Sequence, residues 1–239
     1  MKPVLLLIPG MFNTAAIWQP VASQLEAHAD IRIADVLTQE SITAMAADAW
    51  SLVDGLPPGR PLVICGFSMG GYVAIELLAA HAGRVHAVAF VDTSAGTETP
   101  ESLQVREKTI AALERNFART VEGIISFSLH PDHHGGPLAE GMRRMMHAVG
   151  AAAAIRQNRA TMGRTDHRAA LAALAIAALV VCGREDKVTP TALSEDLARL
   201  VPGVTLEWIE KAGHQTPLEQ PETLAALLLP LLRQASVTR

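Results

Sequence analysis

Cysteine and aromatic side chains are scarce in this chain of 239 residues, which has two cysteines, one tyrosine, three tryptophans and five phenylalanines. Two cysteines cannot build the disulfide framework that holds small secreted domains together. Basic residues are not in excess either: 20 lysines and arginines face 24 aspartates and glutamates, which gives a formal net charge of -4. No run of basic residues offers a stripe for phosphates, so nucleic acid is not an expected partner.

Long hydrophobic runs are missing as well. The first apolar run, Val4–Ile8, ends at Pro9 after five residues, whereas the core of a secretory signal peptide needs at least about seven. The alanine-rich stretch 151–181 is interrupted by Arg156, Arg159 and further charged residues, so it offers no membrane span. We therefore expect a cytoplasmic protein without a membrane partner.

The chain is long enough for one sizeable core, and 49% of its residues are hydrophobic. Short apolar runs alternate with helical patterns, which predicts strands at 4–8, 31–34, 62–65, 85–91, 179–182 and 205–209, with helices near 16–28, 42–54, 69–80, 191–200 and 221–234. Between 100 and about 170 the pattern is helical throughout, apart from a turn at 131–137. This predicts an α/β core formed by 1–96 and 171–239, with a helical lid inserted at 97–170.

The segment Gly66-Phe67-Ser68-Met69-Gly70-Gly71 follows one predicted strand and begins a helical pattern. A serine on such a sharp turn needs strained backbone angles, and glycines two residues before and after it remove the side chains that would crowd the turn. The N-terminus of the next helix offers backbone N–H groups to negative charge on a substrate oxygen. The pattern predicts a nucleophile elbow at Ser68; the alternative is a glycine-rich turn with an idle serine.

An acid and a histidine follow the serine in the order that a triad on this type of elbow requires. Asp186 ends the turn Gly183-Arg184-Glu185-Asp186 after one strand-like run, and His214 ends Lys211-Ala212-Gly213-His214 after the next. The carboxyl ends of parallel strands share one edge of a sheet, where open α/β folds place their sites. We therefore expect Ser68, Asp186 and His214 to meet at that edge.

With these motifs the chain resembles the small esterases and lactonases of the α/β-hydrolase superfamily along nearly its whole length. The supporting pieces are Leu7-Ile8-Pro9-Gly10-Met11 as the oxyanion loop, the elbow, the acid turn and the histidine loop from Gly213 to Pro221. The segment 158–166 is also similar to β-ketoadipate enol-lactonases. The resemblance implies an α/β-hydrolase fold, in which a mostly parallel sheet has helices on both faces and a helical lid is inserted.

Two features depart from the pattern of this superfamily. Pro9 stands where most relatives have a histidine before the glycine of the oxyanion loop, which leaves the shape of that loop open. The chain also enters the pattern directly at Val4, without the N-terminal antiparallel hairpin that many relatives carry. We therefore expect a sheet of about six strands.

The resemblance implies a serine hydrolase that cleaves a small carboxylic ester or lactone through an acyl-enzyme on Ser68. His214 would take the serine proton and return it to the leaving alcohol, and Asp186 would orient the histidine. The backbone N–H groups of Met11 and Met69 would hold the oxyanion. This chemistry needs no cofactor.

Asp92 and Glu185 compete with Asp186 for the role of the acid. Asp92 also follows a predicted strand, and some relatives take their acid from that earlier strand. The acid turn of the superfamily carries its acid in the last place, which favours Asp186. The alternative role of Asp92 is to cap the turn that follows it, and we expect Glu185 to face solvent.

The other histidines and the cysteines suggest different chemistry. His130 and His133 have a spacing that allows metal ligation, but the same segment fits a solvated lid turn and no further ligand set completes a zinc shell, so we predict no metal. Cys65 and Cys182 each end a predicted strand, and the strand order of the superfamily that the chain resembles implies one strand between them. Their Cα atoms would then be about 10 Å apart, too far for a disulfide. We expect both to be buried core thiols.

Three side chains are candidates for contact with the substrate. Phe12 and Phe67 flank the two predicted catalytic loops, which makes them pocket residues. Arg164 lies where the lid returns to the core and could meet a carboxylate of the substrate; the alternative is a surface salt bridge. Glu219, five residues after His214, is expected to stabilise the histidine loop.

Two other functions share these features. An acyltransferase would form the same acyl-enzyme and pass the acyl group to an alcohol or thiol instead of water. A non-enzymatic protein of this fold could bind a small ligand, although loss of catalysis usually shows at the triad positions, which are intact here. The sequence favours no particular oligomeric state.

Overall fold

The computed structural model describes residues 2–237. Its centre is a six-stranded sheet, whose strands are β1 (Val4–Ile8), β2 (Asp30–Ile33), β3 (Leu62–Phe67), β4 (Ala87–Val91), β5 (Ala177–Gly183) and β6 (Thr205–Ile209). The order across the sheet is β2-β1-β3-β4-β5-β6, and all neighbours are parallel. The expected parallel sheet of about six strands is confirmed.

Helices follow the strands along the chain. They are α1 (Gln19–Leu25), α2 (Ile42–Ser51), α3 (Met69–His81), α4 (Pro100–Ser128), α5 (Pro137–Met162), α6 (Arg168–Ala172), α7 (Thr191–Leu200), α8 (Thr216–Glu219) and α9 (Pro221–Val237). Side chains cap the first N–H groups of several of them: Ser41 accepts from the third residue of α2, and Thr99 forms a capping box with Ser102 in α4.

Side chains that alternate along the central strands build two cores. On one face of the sheet Leu6 and Ile64 belong to a buried cluster that includes residues of α2 and α3. On the other face Leu5 and Cys65 belong to a cluster with residues of α1 and α9. Because β1, β3 and β4 are buried on both faces, they read as continuous apolar runs in the sequence.

The chain changes direction across the sheet after β2, because β2 lies on one side of β1 and β3 on the other. The loops that leave the carboxyl ends of β1 and β3 therefore diverge and open a crevice at the edge of the sheet. These are the loop that contains Gly10 and the turn that contains Ser68. The predicted oxyanion loop and the predicted elbow are neighbours for this reason.

The chain between β4 and β5 is helical, as the sequence predicts. α4 bends at Asn116 and α5 at Gly150, whose φ of 77° lies in the region that glycine tolerates. The two helices pack against each other around a small core that includes Leu113, Ile125 and Met142, together with Phe12 from the loop after β1. None of the helices within residues 2–237 has the length and apolar character that crossing a lipid bilayer requires.

The division into a core and a lid stays a prediction. Its second boundary, at residue 170, falls inside α6. Leu171 of this helix is buried in the same cluster as residues of α3, so α6 packs with the core. A lid boundary just before α6 agrees better with this packing.

The helix predicted at 16–28 is divided into two parts. Ala15–Trp18 forms a 3-10 helix, in which the Thr14 side chain accepts a hydrogen bond from Ala16 N. Pro20 then lies in the first turn of α1, the place in an α-helix where proline is tolerated. α1 consequently has only seven residues.

Cys65 lies on β3 and Cys182 on β5, with β4 between the two strands. Both are free and buried, as predicted. Burial raises the pKa of both thiols far above the ordinary value. Neither thiol is therefore activated as a nucleophile.

Candidate active site

Ser68 lies between β3 and α3 with φ 52° and ψ -118°, a conformation that side chains other than glycine rarely adopt. A Cβ at Gly66 would come within 2.3 Å of the Gly70 carbonyl oxygen, and a Cβ at Gly70 within 2.2 Å of the Ile8 carbonyl oxygen. Close backbone packing therefore requires both glycines. Ser68 N donates to Val91 O at 2.9 Å, which fixes the turn to the end of β4. The segment has the geometry of a nucleophile elbow.

A chain of hydrogen bonds joins Ser68, His214 and Asp186. His214 Nε2 is 2.9 Å from Ser68 Oγ, and His214 Nδ1 is 2.8 Å from Asp186 Oδ2. An ionised carboxylate can only accept hydrogen bonds, so Nδ1 carries the proton and Nε2 is free to accept from the serine hydroxyl. In this arrangement His214 can take the serine proton as Ser68 Oγ attacks an electrophile.

Asp186 is held in place by donors from its own loop. Its Oδ1 accepts from the N–H groups of Val188 at 2.8 Å and Thr189 at 2.9 Å, and its Oδ2 accepts from the Thr189 hydroxyl at 2.6 Å. The same hydroxyl is 3.3 Å from His214 Nδ1. These donors favour the ionised carboxylate and keep it directed at the histidine.

Burial and charge have opposite effects on the pKa values of Asp186 and His214. Burial alone would raise the pKa of Asp186, but the charge of His214 and the hydrogen bonds from His214 and Thr189 hold that pKa below its ordinary value. Burial alone would lower the pKa of His214, but the charge of Asp186 and their hydrogen bond raise that pKa above its ordinary value. The carboxylate therefore makes His214 a stronger base than a free imidazole.

Asp92 lies close to this pair, but its hydrogen bonds go elsewhere. Its Oδ1 accepts from Gly183 N at 2.8 Å, and its Oδ2 accepts from the Thr216 hydroxyl. Burial, together with the nearby charge of Asp186, raises the pKa of Asp92 well above its ordinary value. The prediction that Asp92 caps the turn after it is therefore wrong: within residues 2–237 its carboxylate ties β5 to the segment after His214.

The loop that carries His214 is braced by its neighbours. Glu185 Oε2 accepts from Ala212 N at 3.1 Å, so Glu185 does not simply face solvent as expected. His214 N donates to Ser128 O, at the end of α4, at 2.7 Å. The backbone on both sides of the imidazole is therefore fixed before any substrate arrives.

Glu219 is the other brace of this loop. Its Oε1 accepts from Gln215 N at 3.0 Å, and its Oε2 accepts from His130 N at 2.7 Å. One buried carboxylate thus joins the histidine loop to the segment after α4. This is the stabilising role that the sequence predicts for Glu219.

The loop after β1 crosses directly over the elbow. A Cβ at Gly10 would lie 2.9 Å from the Phe67 ring and 3.0 Å from Ser68 Cβ, so only glycine permits this approach. Pro9, the departure from the superfamily pattern, does not keep the loop away from the elbow.

Two backbone N–H groups in this region are free to bind an oxyanion. Met69 begins α3, and the N–H groups of a first turn have no acceptor within their helix. Phe12 N donates to a side chain of α5, whereas Met11 N has no hydrogen-bond partner within residues 2–237. Both predicted oxyanion residues are thus at the crevice with an unused donor, and their role stays a prediction.

Residues 5–227 match the sequence model of the alpha/beta hydrolase family. The chain belongs to this family. The match runs from β1 into α9 and so includes every residue of the hydrogen-bonded chain. The resemblance seen in the sequence is confirmed.

Named relatives of this hydrolase are esterases. It is 29% identical over 223 residues to the pimeloyl-[acyl-carrier protein] methyl ester esterase of Neisseria meningitidis serogroup C, with 89% of this chain and 82% of the relative covered. An enzyme of the same name from Xanthomonas campestris pv. campestris is 24% identical over 240 residues, with 95% and 93% covered.

Solved structures show the same fold. A thermophilic esterase from Thermogutta terrifontis has a TM-score of 0.86 at 24% identity, with 99% of this chain and 91% of that chain covered. The enol-lactonase from Burkholderia xenovorans LB400 has a TM-score of 0.86 at 20% identity, with 98% and 92% covered. At these identities the likeness establishes the fold of this hydrolase.

Ser68 and His214 of the hydrolase open into a cavity of about 1370 Å³. Phe12 and Phe67 line this cavity, and the Phe67 ring centroid is 5.3 Å from that of His214. α4 forms one long wall. Several exposed apolar side chains also line the cavity, namely Val105, Phe127, Val188 and Leu193. The lining suits a partly apolar ligand.

Arg164 also lines the cavity, but the protein already engages its guanidinium. It forms an ion pair with Glu98, donates twice to Gly96 O at 3.0 and 2.7 Å, and lies 4.2 Å from the centre of the Tyr72 ring. The ion pair is buried, with side chains 8% and 5% exposed, rather than at the surface. A substrate carboxylate at Arg164 would have to compete with Glu98.

Two histidines of the segment 130–134 each use one ring nitrogen locally. His130 Nδ1 accepts from Asp132 N at 3.2 Å, and His134 Nε2 is 3.2 Å from Leu129 O. Within residues 2–237 the one set of three groups close enough to share a metal ion is Asp92, Cys182 and Asp186.

Hydrogen bonds already account for that set. Both oxygens of Asp92 and both oxygens of Asp186 accept from protein donors. The Cys182 thiol donates to Gly183 O at 3.3 Å and lies 3.8 Å from Thr189 O, and burial, followed by the charge of Asp92, raises its pKa. The donor set fits a network around the imidazole rather than a metal centre.

Sequence reasoning missed three residues of the site. Thr189 could have been found, because an aspartate followed by donors two and three residues later is the pattern of an Asx turn. Thr216, which holds Asp92, and Gln157, which holds the oxyanion loop, carry no comparable local signal. Each contacts a residue more than a hundred positions away.

Proposed function

We propose that this protein is a serine hydrolase that cleaves small carboxylic esters, lactones included, through an acyl-enzyme on Ser68. The observation that carries the proposal is the unbroken series of hydrogen bonds from Ser68 through His214 to Asp186, at the floor of a cavity. The esterase names of the relatives point to the same reaction.

In the first half of the reaction, Ser68 Oγ forms a bond to the ester carbonyl carbon while its proton moves to His214 Nε2. The carbonyl oxygen becomes an oxyanion, for which the N–H groups of Met11 and Met69 are the proposed donors. Loss of one such donor costs about 3 to 4 kcal/mol in transition-state stabilisation. The carbon–oxygen bond to the alcohol then breaks, and His214 gives its proton to the leaving alkoxide.

In the second half, water attacks the acyl carbon and His214 Nε2 takes a proton from it. A second tetrahedral oxyanion collapses, the bond from Ser68 Oγ to the acyl carbon breaks, and the serine recovers its proton from His214. Asp186 stays ionised throughout and stabilises the imidazolium in both halves. An acyltransferase differs only in the acceptor of this second half.

Turnover of a series of p-nitrophenyl esters, acetate to decanoate, tests the proposal. We expect hydrolysis of several members, together with an intact-mass increase equal to the acyl group when the reaction is quenched early. Peptide mapping should place that mass on Ser68. The acyl length with the highest kcat/KM reports the size of the cavity.

Two results would contradict the proposal. Ligand binding with neither turnover nor an adduct on Ser68 would identify a binding protein of this fold. Release of p-nitrophenol that depends on an added alcohol or thiol acceptor would identify an acyltransferase.

A cationic strip at the mouth of the cavity points to an anionic portion of the substrate. Lys108, Arg115 and Arg119 lie on α4 and line the cavity. The carboxylate among the lining residues, Glu98, is paired with Arg164. This local positive charge lies on a chain whose net charge is -4, so it is a feature of the mouth and not of the whole surface.

We infer from this strip that the ester is attached to an acidic carrier, and the relatives' name specifies an acyl-carrier protein. The double variant Arg115→Ala/Arg119→Ala should raise KM for a methyl ester on acyl-carrier protein about tenfold at low salt, with kcat unchanged, because the strip steers encounter. KM for a neutral p-nitrophenyl ester should not change. The variant Arg168→Ala/Arg199→Ala, which removes the same charge outside the cavity, is the control. Equal effects of the two double variants would contradict the inference.

The expected absence of a nucleic acid partner and the cytoplasmic location remain predictions of the sequence.

A further inference from the structure

Gln157 lies on α5, is fully buried, and uses both ends of its amide on the backbone of the core. Its Oε1 accepts from Phe12 N at 3.0 Å, and its Nε2 donates to Val36 O at 3.0 Å. These two partners belong to the loops after β1 and β2. One side chain from the predicted lid segment thus joins the loops that leave the carboxyl ends of β1 and β2.

The loop that Gln157 contacts is under backbone strain. Phe12 has φ 64°, in the left-handed region that costs a residue with a side chain free energy and persists only where the surroundings impose it. The adjacent Asn13 is fully buried, yet neither polar atom of its side chain has a hydrogen-bond partner within residues 2–237. The side chain of Asn13 therefore supplies no polar tether. The loop is held here by the burial of the Phe12 ring and, at the backbone, by the hydrogen bond from Phe12 N to Gln157.

The position of Gln157 is itself well determined. Arg156 Nε donates to Leu37 O at 3.2 Å, and the Thr161 hydroxyl donates to Gln157 O at 2.9 Å. This part of α5 follows the bend at Gly150. The part of α5 after Gly150 is therefore attached to the core by hydrogen bonds of its own, which do not involve the part before Gly150.

Gln157 also decides which N–H of the loop stays available. It occupies the N–H of Phe12, and the preceding N–H, that of Met11, has no partner among residues 2–237. The N–H groups of Met11 and Phe12 lie on adjacent peptide planes that share the Met11 Cα, so the hydrogen bond at Phe12 N limits how far Met11 can be displaced. Positioning of an oxyanion donor to within about half an ångström is what electrostatic stabilisation requires.

We infer that Gln157 is a positioning residue for the oxyanion hole: through its hydrogen bond to Phe12 N it holds the Met11 N–H toward the reacting carbonyl. This inference rests on the proposed ester hydrolysis at Ser68. It assigns α5 a part in catalysis that does not involve contact with the substrate. It also explains how a loop with Pro9 in the unusual place keeps a defined shape.

Replacement of Gln157 by methionine tests the inference, because methionine has a similar length and no hydrogen-bonding amide. We expect kcat for p-nitrophenyl esters to fall about 10- to 100-fold, less than the 10² to 10³ lost with a whole oxyanion donor, while KM stays within about twofold. The dissociation constant of a reversible boronic acid inhibitor, which places an oxygen in the oxyanion hole, should rise by the same factor. The control is Arg159→Gln, two residues along α5, whose side chain is 64% exposed.

A conservative variant separates positioning from general packing. In Gln157→Glu the buried acid, while protonated, can accept from Phe12 N and donate to Val36 O as glutamine does. Its kcat relative to the wild type at the same pH should therefore be highest at low pH and fall as the pH rises and the acid ionises. A role in packing alone predicts a ratio that does not change with pH. If Gln157→Met fails to fold, this variant carries the test.

Hydrogen exchange of the peptide that spans residues 9–13 gives a readout without turnover. Exchange at Phe12 should be faster in Gln157→Met than in the wild type and in Arg159→Gln. The inference would be overturned if Gln157→Met had the same kcat, inhibitor affinity and exchange rate as the wild type. A wild type that turns over no ester would contradict the proposed function instead, and the exchange result would still decide whether Gln157 holds the loop.

Discussion

The variant Ser68→Ala is expected to lose ester hydrolysis almost completely, with kcat about 10⁵- to 10⁶-fold lower than in the wild type. Without Oγ no acyl-enzyme forms, and His214 is left without the hydroxyl that it contacts at 2.9 Å. Rates with p-nitrophenyl butyrate, with the intact mass of quenched samples, measure this effect. Ser23→Ala, an exposed serine on α1, is the matched control and should keep full activity and the mass adduct.

Replacing Ser68 also affects the stability of the protein, because the backbone of Ser68 is strained. At φ 52° and ψ -118° a residue with a Cβ is destabilised by about 1 to 3 kcal/mol, whereas glycine is not. Ser68→Gly should therefore be as inactive as Ser68→Ala but unfold at higher denaturant concentration. Retention of more than a few per cent of activity in either variant would show that Ser68 is not the nucleophile. Equal stability of the two variants would show that the elbow is not strained.

The main site could be predicted from the sequence because its parts are local motifs. Gly66 and Gly70, between a predicted strand and a predicted helix, mark the elbow in the sequence, and backbone atoms within 2.3 Å of each missing Cβ show why both must be glycine. Chain order then selects an acid and a histidine after later strands. The parallel sheet brings them to one edge, so three distant segments meet without any further information.

Contacts between the lid segment and the core could not be predicted in this way. Gln157 and Phe12 are 145 positions apart, and a glutamine within a helical pattern is ordinarily read as a surface residue. Gln157 is buried because α5 packs over the loops after β1 and β2, whose backbone it contacts. The ion pair of Arg164 could not be predicted either, because its partner Glu98 lies at the other end of the inserted segment.

The choice between two acids also depended on geometry. Asp92 and Asp186 both follow strands that are neighbours in the sheet, so a place after a strand does not separate them, although the acid turn of the superfamily favours Asp186. What separates them is hydrogen bonding: Asp186 faces Nδ1 of His214 at 2.8 Å, whereas Asp92 accepts from Gly183 N and the Thr216 hydroxyl.

Asp186→Asn is accordingly expected to lower kcat about 10⁴-fold. An amide at this place can donate to Nδ1, which favours the tautomer with the proton on Nε2, and that tautomer cannot accept the proton of Ser68. The loss of the carboxylate also removes the charge that raises the pKa of His214. The rate rises with pH as the imidazole loses its proton, so the rising limb of residual activity should move to lower pH than in the wild type.

Asp92→Asn provides the comparison, and kcat should fall by no more than about tenfold. Its oxygens accept from Gly183 N and the Thr216 hydroxyl and not from His214, so an amide of the same shape is a close substitute. The amide oxygen can still accept from Gly183 N. The rising limb of the pH profile should therefore stay near that of the wild type.

Full pH profiles of kcat/KM for the wild type and both variants, with one ester, measure the two effects together. The reverse ranking, a large loss in Asp92→Asn and a small one in Asp186→Asn, would transfer the role of the acid to β4. Large losses in both, with the shift of the rising limb confined to Asp186→Asn, would mean that Asp92 holds the histidine loop through Thr216. In that case Thr216→Val should reproduce the loss of Asp92→Asn without a shift, because it removes the same hydrogen bond and no charge.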